Sequence, residues 1–192
     1  MFLSEPPESE ARDASYAEDL ESDGYVGNNT RLWAWRPEIS RSFMELRTDL
    51  RKESALTERE WAVLVVSTVA TLGDSYCSLA WGPRLAELTD DETAARVLAG
   101  QSATGLSKRE TALSEWARRV VRDPNGTSQA DVARLRDAEL GDREIFEATA
   151  FIAFRLALAL VNDALGAAPD KQLADAAPAQ VRAAITFGRA PA

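Results

Sequence analysis

Apolar side chains recur along most of the chain at the spacing of an α-helix. Between positions 37 and 52 they occur three or four residues apart, which places them on one helical face: Ile39, Phe43, Leu46 and Leu50. Two other stretches, 61–70 and 148–161, are almost wholly apolar, which is typical of helices covered on most sides. No alternating strand pattern with turn residues occurs, so the sequence predicts an all-α protein of seven or eight helices.

Polar residues indicate where several of these helices begin. The sequences at 57–60, 89–92 and 107–110 each have Ser or Thr followed three residues later by Glu, the pattern of a capping box. The first box predicts a helix over about 58–72. The second and third boxes begin helices that are predicted to end at about 99 and about 121. Asp142 is predicted to cap a long helix that Gly166 ends. Glu60 is a catalytic carboxylate in one interpretation, but its position in the first box favours a capping role.

The stretch from Gly73 to Pro83 separates two apolar helical patterns and contains the only cysteine, Cys77. Asp74 favours an N-cap, which places Cys77 in the first turn of the next helix. There the unpaired backbone N–H groups and the helix dipole favour a thiolate over a thiol. The alternative is a buried cysteine that only packs. Gly82 and Pro83 predict a kink or an early end to this helix.

Charge and composition divide the chain into three parts. Eight acidic residues and one arginine between positions 4 and 23 predict an acidic, flexible arm over residues 1–24, with at most a short helix near Asp13–Leu20. Residues 25–170 form the predicted helical domain, and residues 171–192 an extension with one short helix near 179–187. Arg155 lies inside the apolar run of the last long helix, where a charge needs a partner. Either a structural ion pair, within the chain or across a subunit interface, or a bound substrate provides that partner.

The absence of histidine excludes more functions than any motif supports. It removes Ser-His-Asp triads, Cys-His pairs, histidine metal sites and imidazole proton relays. One cysteine allows no internal disulfide, and the sequence predicts no metal site and no cofactor. A net charge of −9 disfavours nucleic acid as a partner. Without an uninterrupted apolar run of membrane length or a basic leader, we expect a cytoplasmic protein that does not enter membranes.

The order of several short motifs resembles the alkylhydroperoxidase D-like group of the carboxymuconolactone decarboxylase family. The resemblance covers about residues 25–170. Its motifs are Tyr76-Cys77-Ser78-Leu79-Ala80-Trp81-Gly82, Leu106-Ser107-Lys108-Arg109-Glu110, Arg122-Asp123-Pro124, Leu140-Gly141-Asp142-Arg143-Glu144-Ile145 and Asn162-Asp163-Ala164-Leu165-Gly166. The resemblance implies an all-helical subunit that forms homo-oligomers and reduces peroxides with a thiol.

The family's working pattern is Cys-x-x-Cys-x-x-x-His with a glutamate twelve residues before the first cysteine. In this chain only the second cysteine is kept, as Cys77. Asp74 replaces the first cysteine, Trp81 the histidine and Ala62 the glutamate. A two-cysteine cycle needs a resolving thiol, which this sequence lacks.

Two functions of different classes remain open. In the first, Cys77 is the nucleophile of a one-cysteine peroxide reductase, Asp74 caps its helix, and Tyr76 and Trp81 shape an apolar pocket. An external thiol then recycles the sulfenic acid. In the second, the protein is a non-redox family member that binds a small molecule or serves only as a helical shell.

Overall fold

The computed structural model describes residues Met1–Ala192 as eleven α-helices with one short 3-10 turn and no strand. The all-α prediction is therefore confirmed, whereas the predicted number of seven or eight helices is too low. In chain order the helices are α1 (Glu10–Ser22), α2 (Asn28–Trp33), α3 (Pro37–Arg51), α4 (Glu58–Leu72), α5 (Ser75–Leu88), α6 (Asp91–Leu98), α7 (Lys108–Arg122), α8 (Gln129–Asp137), α9 (Asp142–Ala164), α10 (Lys171–Ala176) and α11 (Ala179–Ala184).

Helix α4 is the centre of the fold, and every residue from 60 to 69 is buried. Because α4 is apolar around its circumference, other helices cover it on all sides: α7 and α9 on one side, α5 and α6 on the other. One core cluster contains Leu64 and Phe151 together with Cys77, and a second contains Val63 and Leu85. Full burial of a leucine or valine side chain stabilises the fold by about 1.5–3 kcal/mol, so α4 fixes the positions of its neighbours.

Two of the three predicted capping boxes are confirmed, at Thr57 and Ser107. The third prediction is wrong. Thr89 instead donates its hydroxyl to the carbonyl of Leu85, one turn back, and Asp90 caps α6 by accepting the backbone N–H of Thr93 at 2.8 Å. The predicted N-cap of α9 is also wrong by one residue: Gly141 is the N-cap, and Asp142 is the first helical residue.

Helix α5 continues through Pro83 to Leu88, whereas the sequence predicts a kink or an early end. Proline removes one backbone donor, and packing against α4, α6 and α11 holds the helix across that position. Gly82 makes the packing with α11 possible, because an added Cβ would lie 2.7 Å from Val181 Cγ1. Cys77 therefore belongs to a helix that is supported along its whole length.

The two ends of the chain lie on this core. The acidic arm predicted to be flexible contains α1, and Asp19 at its end accepts the backbone N–H of Gly27 at 2.9 Å. The C-terminal extension contains two short helices instead of the single predicted one, and Val181 of α11 is fully buried. None of the helices combines the length and apolar character that a membrane span requires.

Candidate functional site

Cys77 is the third residue of α5, as the sequence predicts. Helix α4 ends at Leu72, and Gly73 reverses the chain with a φ of +91°, a conformation that glycine adopts without strain. Asp74 then accepts the backbone N–H of Cys77 through Oδ1 at 2.9 Å. This bond satisfies one of the free donors of the first helical turn. The sulfur thus belongs to a residue at the positive end of a helix dipole.

The Cys77 side chain is only 7% exposed and lies in the main core cluster. Burial raises the pKa of its thiol to about 12, against the opposing effect of the positive charge on Arg155. The carboxylate of Asp74 raises that pKa further. The thiol is therefore protonated near neutral pH, and the helix dipole alone does not produce a thiolate.

Arg155 on α9 is a buried cation near this thiol, with only 4% of its surface exposed. The structure shows no ion pair or hydrogen bond for it, and its Nε atom has no partner. Its guanidinium carbon lies 5.5 Å from the centre of the Trp81 ring, within range of a cation–π interaction. The structural ion pair that was one of two sequence-based interpretations is thus absent within the chain.

Arg47 on α3 is a second buried cation, 7% exposed, which the sequence analysis did not identify. Its only hydrogen bond is to the sulfur of Met44 at 3.2 Å, and its guanidinium carbon lies 5.8 Å from the Phe151 ring centre. Burial, and then the nearby charge of Arg155, lower the pKa of Arg47 to about 10. Its spacing from Phe43 and Leu50 places it on the inner face of α3, a signal that was available from the sequence.

Two carboxyl groups also lie near enough to Cys77 to raise the pKa of its thiol. Asp74 is fully buried and its Oδ2 atom has no partner. Asp163 on α9 is partly exposed, and burial, followed by the charge of Asp74, raises the pKa of Asp163 to about 6. Such a carboxyl exchanges its proton with solvent near neutral pH. Asp163 lies in one of the family-like motifs of the sequence, where no neighbouring residue indicates a chemical role for it.

The other two predicted pocket residues, Trp81 and Tyr76, lie in different parts of the core. Trp81 contacts the cluster that contains Cys77. Tyr76 does not shape a pocket with it: the phenol belongs to a small cluster with Leu32 and donates to Asp170 Oδ2 at 2.6 Å. Burial and this hydrogen bond raise the pKa of Tyr76 far above its ordinary value. Tyr76 therefore ties α5 to the segment before α10.

Ala62, at the position of the family's glutamate, and the nearby Glu60 do not reach the thiol. Ala62 is buried in the second cluster, with α5 and α6. Glu60 accepts the Thr57 N–H at 2.8 Å and pairs with Arg109 Nε at 2.8 Å, which confirms its capping role. The carboxyl groups near the thiol are therefore those of Asp74 and Asp163.

Space around the thiol is limited. Three surface cavities of about 350–420 Å³ occur elsewhere on the molecule, and Cys77 lines none of them. No three His, Cys, Asp or Glu side chains converge in a way that could bind a metal ion. The chemistry available at this site is that of a thiol, two guanidiniums and two carboxyl groups.

The raised pKa of Asp163 gives a testable dependence of stability on pH. Its folded-state pKa of about 6 exceeds the ordinary value of 3.8, so the folded protein binds this proton more tightly than the unfolded chain. The stability from that proton is complete below about pH 4 and is lost as the pH rises through about 6. In urea unfolding, Asp163→Asn should gain stability relative to the wild type between about pH 4 and pH 7. Asp175→Asn, at an exposed carboxylate, is the control. If the free energy of unfolding of Asp163→Asn differs from that of the wild type by the same amount at every pH, the raised pKa of Asp163 is contradicted.

Solved structures of other proteins share the fold of this chain. No protein-family model matches the chain, and no curated protein matches it. A solved structure described as an alkylhydroperoxidase AhpD core, an uncharacterized peroxidase-related protein from Ralstonia eutropha JMP134, superposes with a TM-score of 0.74 at 22% identity. That match covers 100% of this chain and 97% of the other. A peroxidase-related protein from Silicibacter sp. TM1040 gives a TM-score of 0.76 at 21% identity, covering 90% and 93%.

A neighbour with a different activity has the same architecture. The debrominase Bmp8 superposes with a TM-score of 0.69 at 15% identity, covering 96% of this chain and 97% of its own. A cysteine-to-alanine variant of that enzyme is solved in complex with 2,3,4-tribromopyrrole. At these identities the likeness establishes the fold and leaves the reaction open. The chain therefore adopts the alkylhydroperoxidase D-like fold, as its motifs predict.

Proposed function

We propose that this protein is a one-cysteine thiol peroxide reductase with Cys77 as its nucleophile. The observation that supports it is the grouping of one thiol at a helix N-terminus with a buried guanidinium, Arg155, and a pair of carboxyl groups, Asp74 and Asp163. The peroxidase-related neighbours of the same fold give independent support.

The first half-reaction oxidises the thiol. The sulfur of Cys77 attacks the terminal oxygen of an organic hydroperoxide, the S–O bond forms and the O–O bond breaks. Cys77 becomes a sulfenic acid and the hydroperoxide becomes an alcohol. The thiol proton passes to the partnerless Oδ2 of Asp74, and protonated Asp163 supplies a proton to the departing alkoxide. Asp74 returns the thiol proton to Asp163, so the active site ends with its original proton count.

Proton removal during the attack is required because the resting thiol has a pKa of about 12. A free thiolate is thus rare near neutral pH, and the nearby carboxylate acts as the base that the family's histidine and glutamate positions no longer supply. The positive charge of Arg155 stabilises the negative charge that develops on sulfur and on the leaving oxygen.

The second half-reaction uses an external thiol, since the chain has no second cysteine. One thiol molecule attacks the sulfenic acid, forms a mixed disulfide with Cys77 and releases water. A second thiol molecule then displaces Cys77 and leaves as a disulfide. Overall, two thiols are oxidised for each hydroperoxide reduced.

Peroxide consumption tests this function. Wild-type protein with dithiothreitol should consume cumene hydroperoxide catalytically, and Cys77→Ser should lose at least about a hundredfold of that rate, because the nucleophile is gone. Arg84→Gln, at an exposed arginine on the same helix, is the matched control and should keep the rate. Equal consumption by the wild type and Cys77→Ser would reject the proposal.

A non-redox role is the second candidate, and the 7% exposure of Cys77 favours it. In this role the thiol only packs, and the helical shell binds a small molecule or has a structural use. The debrominase shows that the fold accommodates chemistry other than peroxide reduction. If peroxide leaves Cys77 unmodified in the folded protein, the result would support this second function.

Self-association is part of the proposed function. Helix α9 leaves an apolar stripe in solvent that includes Phe146, 69% exposed, and Leu160, 54% exposed. A stripe of large exposed apolar side chains on one helix marks an interaction surface, and a second copy of the chain offers the same apolar face for symmetric packing. We expect a homo-oligomer that buries α9.

A further inference from the structure

Arg47 and Arg155 carry buried charges for which the chain supplies no counter-ion. Neither guanidinium forms an ion pair, and the Nε atom of each is buried without a hydrogen-bond partner. Burying an unpaired cation costs several kcal/mol, so such residues are normally paired. Two of them close enough for the charge of one to act on the other indicate a missing anion.

The two side chains lie on the packed helices α3 and α9, and the charge of Arg155 acts on both Arg47 and the thiol. Arg155 lies over the ring of Trp81, one helical turn beyond Cys77 on α5. Arg47 lies over the ring of Phe151, one turn before Arg155 on α9. Both aromatic rings contact the core cluster that contains Cys77. The guanidiniums, the rings and the sulfur therefore belong to one continuous group.

We infer that Arg47 and Arg155 bind the carboxylate of an organic acid. Guanidinium donors form a planar fork that matches the two oxygens of a carboxylate, and charge-assisted bonds of this type are stronger than neutral ones. Trp81, which is only partly buried, provides apolar surface for the rest of the ligand. This inference rests on the proposed function to the extent that it names the substrate class, a carboxylic acid that carries a hydroperoxide.

Binding can be tested without the reaction by using the full-length Cys77→Ser protein and a stable acid. In isothermal titration calorimetry, benzoate should bind saturably, and benzyl alcohol, its uncharged analogue, should bind at least about tenfold more weakly. In the same background, Arg155→Gln and Arg47→Gln should each weaken benzoate binding by about tenfold or more. Arg84→Gln, at an exposed arginine on α5, is the matched control and should bind as the background does.

A second substitution covers the case in which a glutamine variant fails to fold. Arg155→Lys keeps the charge but loses the fork, so benzoate binding should weaken several-fold while the protein stays folded. The inference is overturned if benzoate binds no more tightly than benzyl alcohol, or if the arginine variants bind as Cys77→Ser does. It is also overturned if Arg155→Gln dissociates an oligomer in sedimentation velocity while benzoate binding is unchanged. Benzoate binding without any oxidation of wild-type Cys77 would keep this inference and reject the peroxide reductase.

Discussion

Replacing Arg155 with methionine is expected to raise the free energy of unfolding by about 1–4 kcal/mol, because methionine fills a similar volume and removes a buried charge that has no partner. Loss of the interaction with Trp81 offsets part of this gain, by about 0.5–2 kcal/mol. Urea unfolding at neutral pH measures the difference, with Arg84→Met as the exposed control. Residues retained at a cost to stability are typical of functional sites.

A loss of stability in Arg155→Met would contradict this interpretation. It would mean that the guanidinium has a favourable structural partner in the folded protein, such as a carboxylate of a neighbouring subunit. The same variant should lose peroxide reduction in the wild-type cysteine background, since the positive charge near the sulfur is gone. Increased stability with reduced activity is the combination that the account predicts.

Asp74 has two roles that a pair of substitutions separates. Asp74→Ala removes the N-cap of α5 and should cost about 1–2 kcal/mol of stability. Asp74→Asn keeps an oxygen that can accept the Cys77 N–H but removes the negative charge that raises the pKa of the thiol. We therefore expect Asp74→Asn to react several-fold faster with iodoacetamide at a fixed pH above 8.

Peroxide reduction should respond to Asp74→Asn in the opposite direction. The amide cannot accept the thiol proton, so the rate near neutral pH should fall although the thiol is more easily alkylated. Ser78→Ala is a control, because that hydroxyl donates to the Asp74 carbonyl without contacting its carboxylate. Faster alkylation accompanied by faster peroxide reduction would show that Asp74 does not act as a base.

Local signals were sufficient to predict the helices that hold the thiol. The apolar run of α4, the capping boxes at Thr57 and Ser107 and the cap at Asp74 depend on residues within four positions of each other. Pro83 shows the limit of such signals. Its local preference is to break a helix, and packing on α11 through Gly82 overrides it.

The site itself depends on contacts between distant parts of the chain. The direction of Tyr76 is set by Asp170, and the pKa of Asp163 depends on Asp74, in each case about ninety residues away. The burial of Cys77 follows from α9 and α7 closing over α4 and α5, which reverses the effect expected from the helix dipole alone. Arg47 was predictable as an inward-facing residue of α3, but its closeness to Arg155 was not.

The central claim is that the Cys77 thiol reacts with a peroxide inside the folded protein. Mass spectrometry after exposure to cumene hydroperoxide and dimedone, a probe for sulfenic acids, tests it most directly. We expect a single dimedone adduct on Cys77, which forms more slowly as the pH rises above about 6, because Asp163 then loses the proton that it supplies to the departing alkoxide. Urea-unfolded protein serves as the control for an accessible thiol. An adduct that forms only in the unfolded protein would show that Cys77 does not react with peroxide in the native fold.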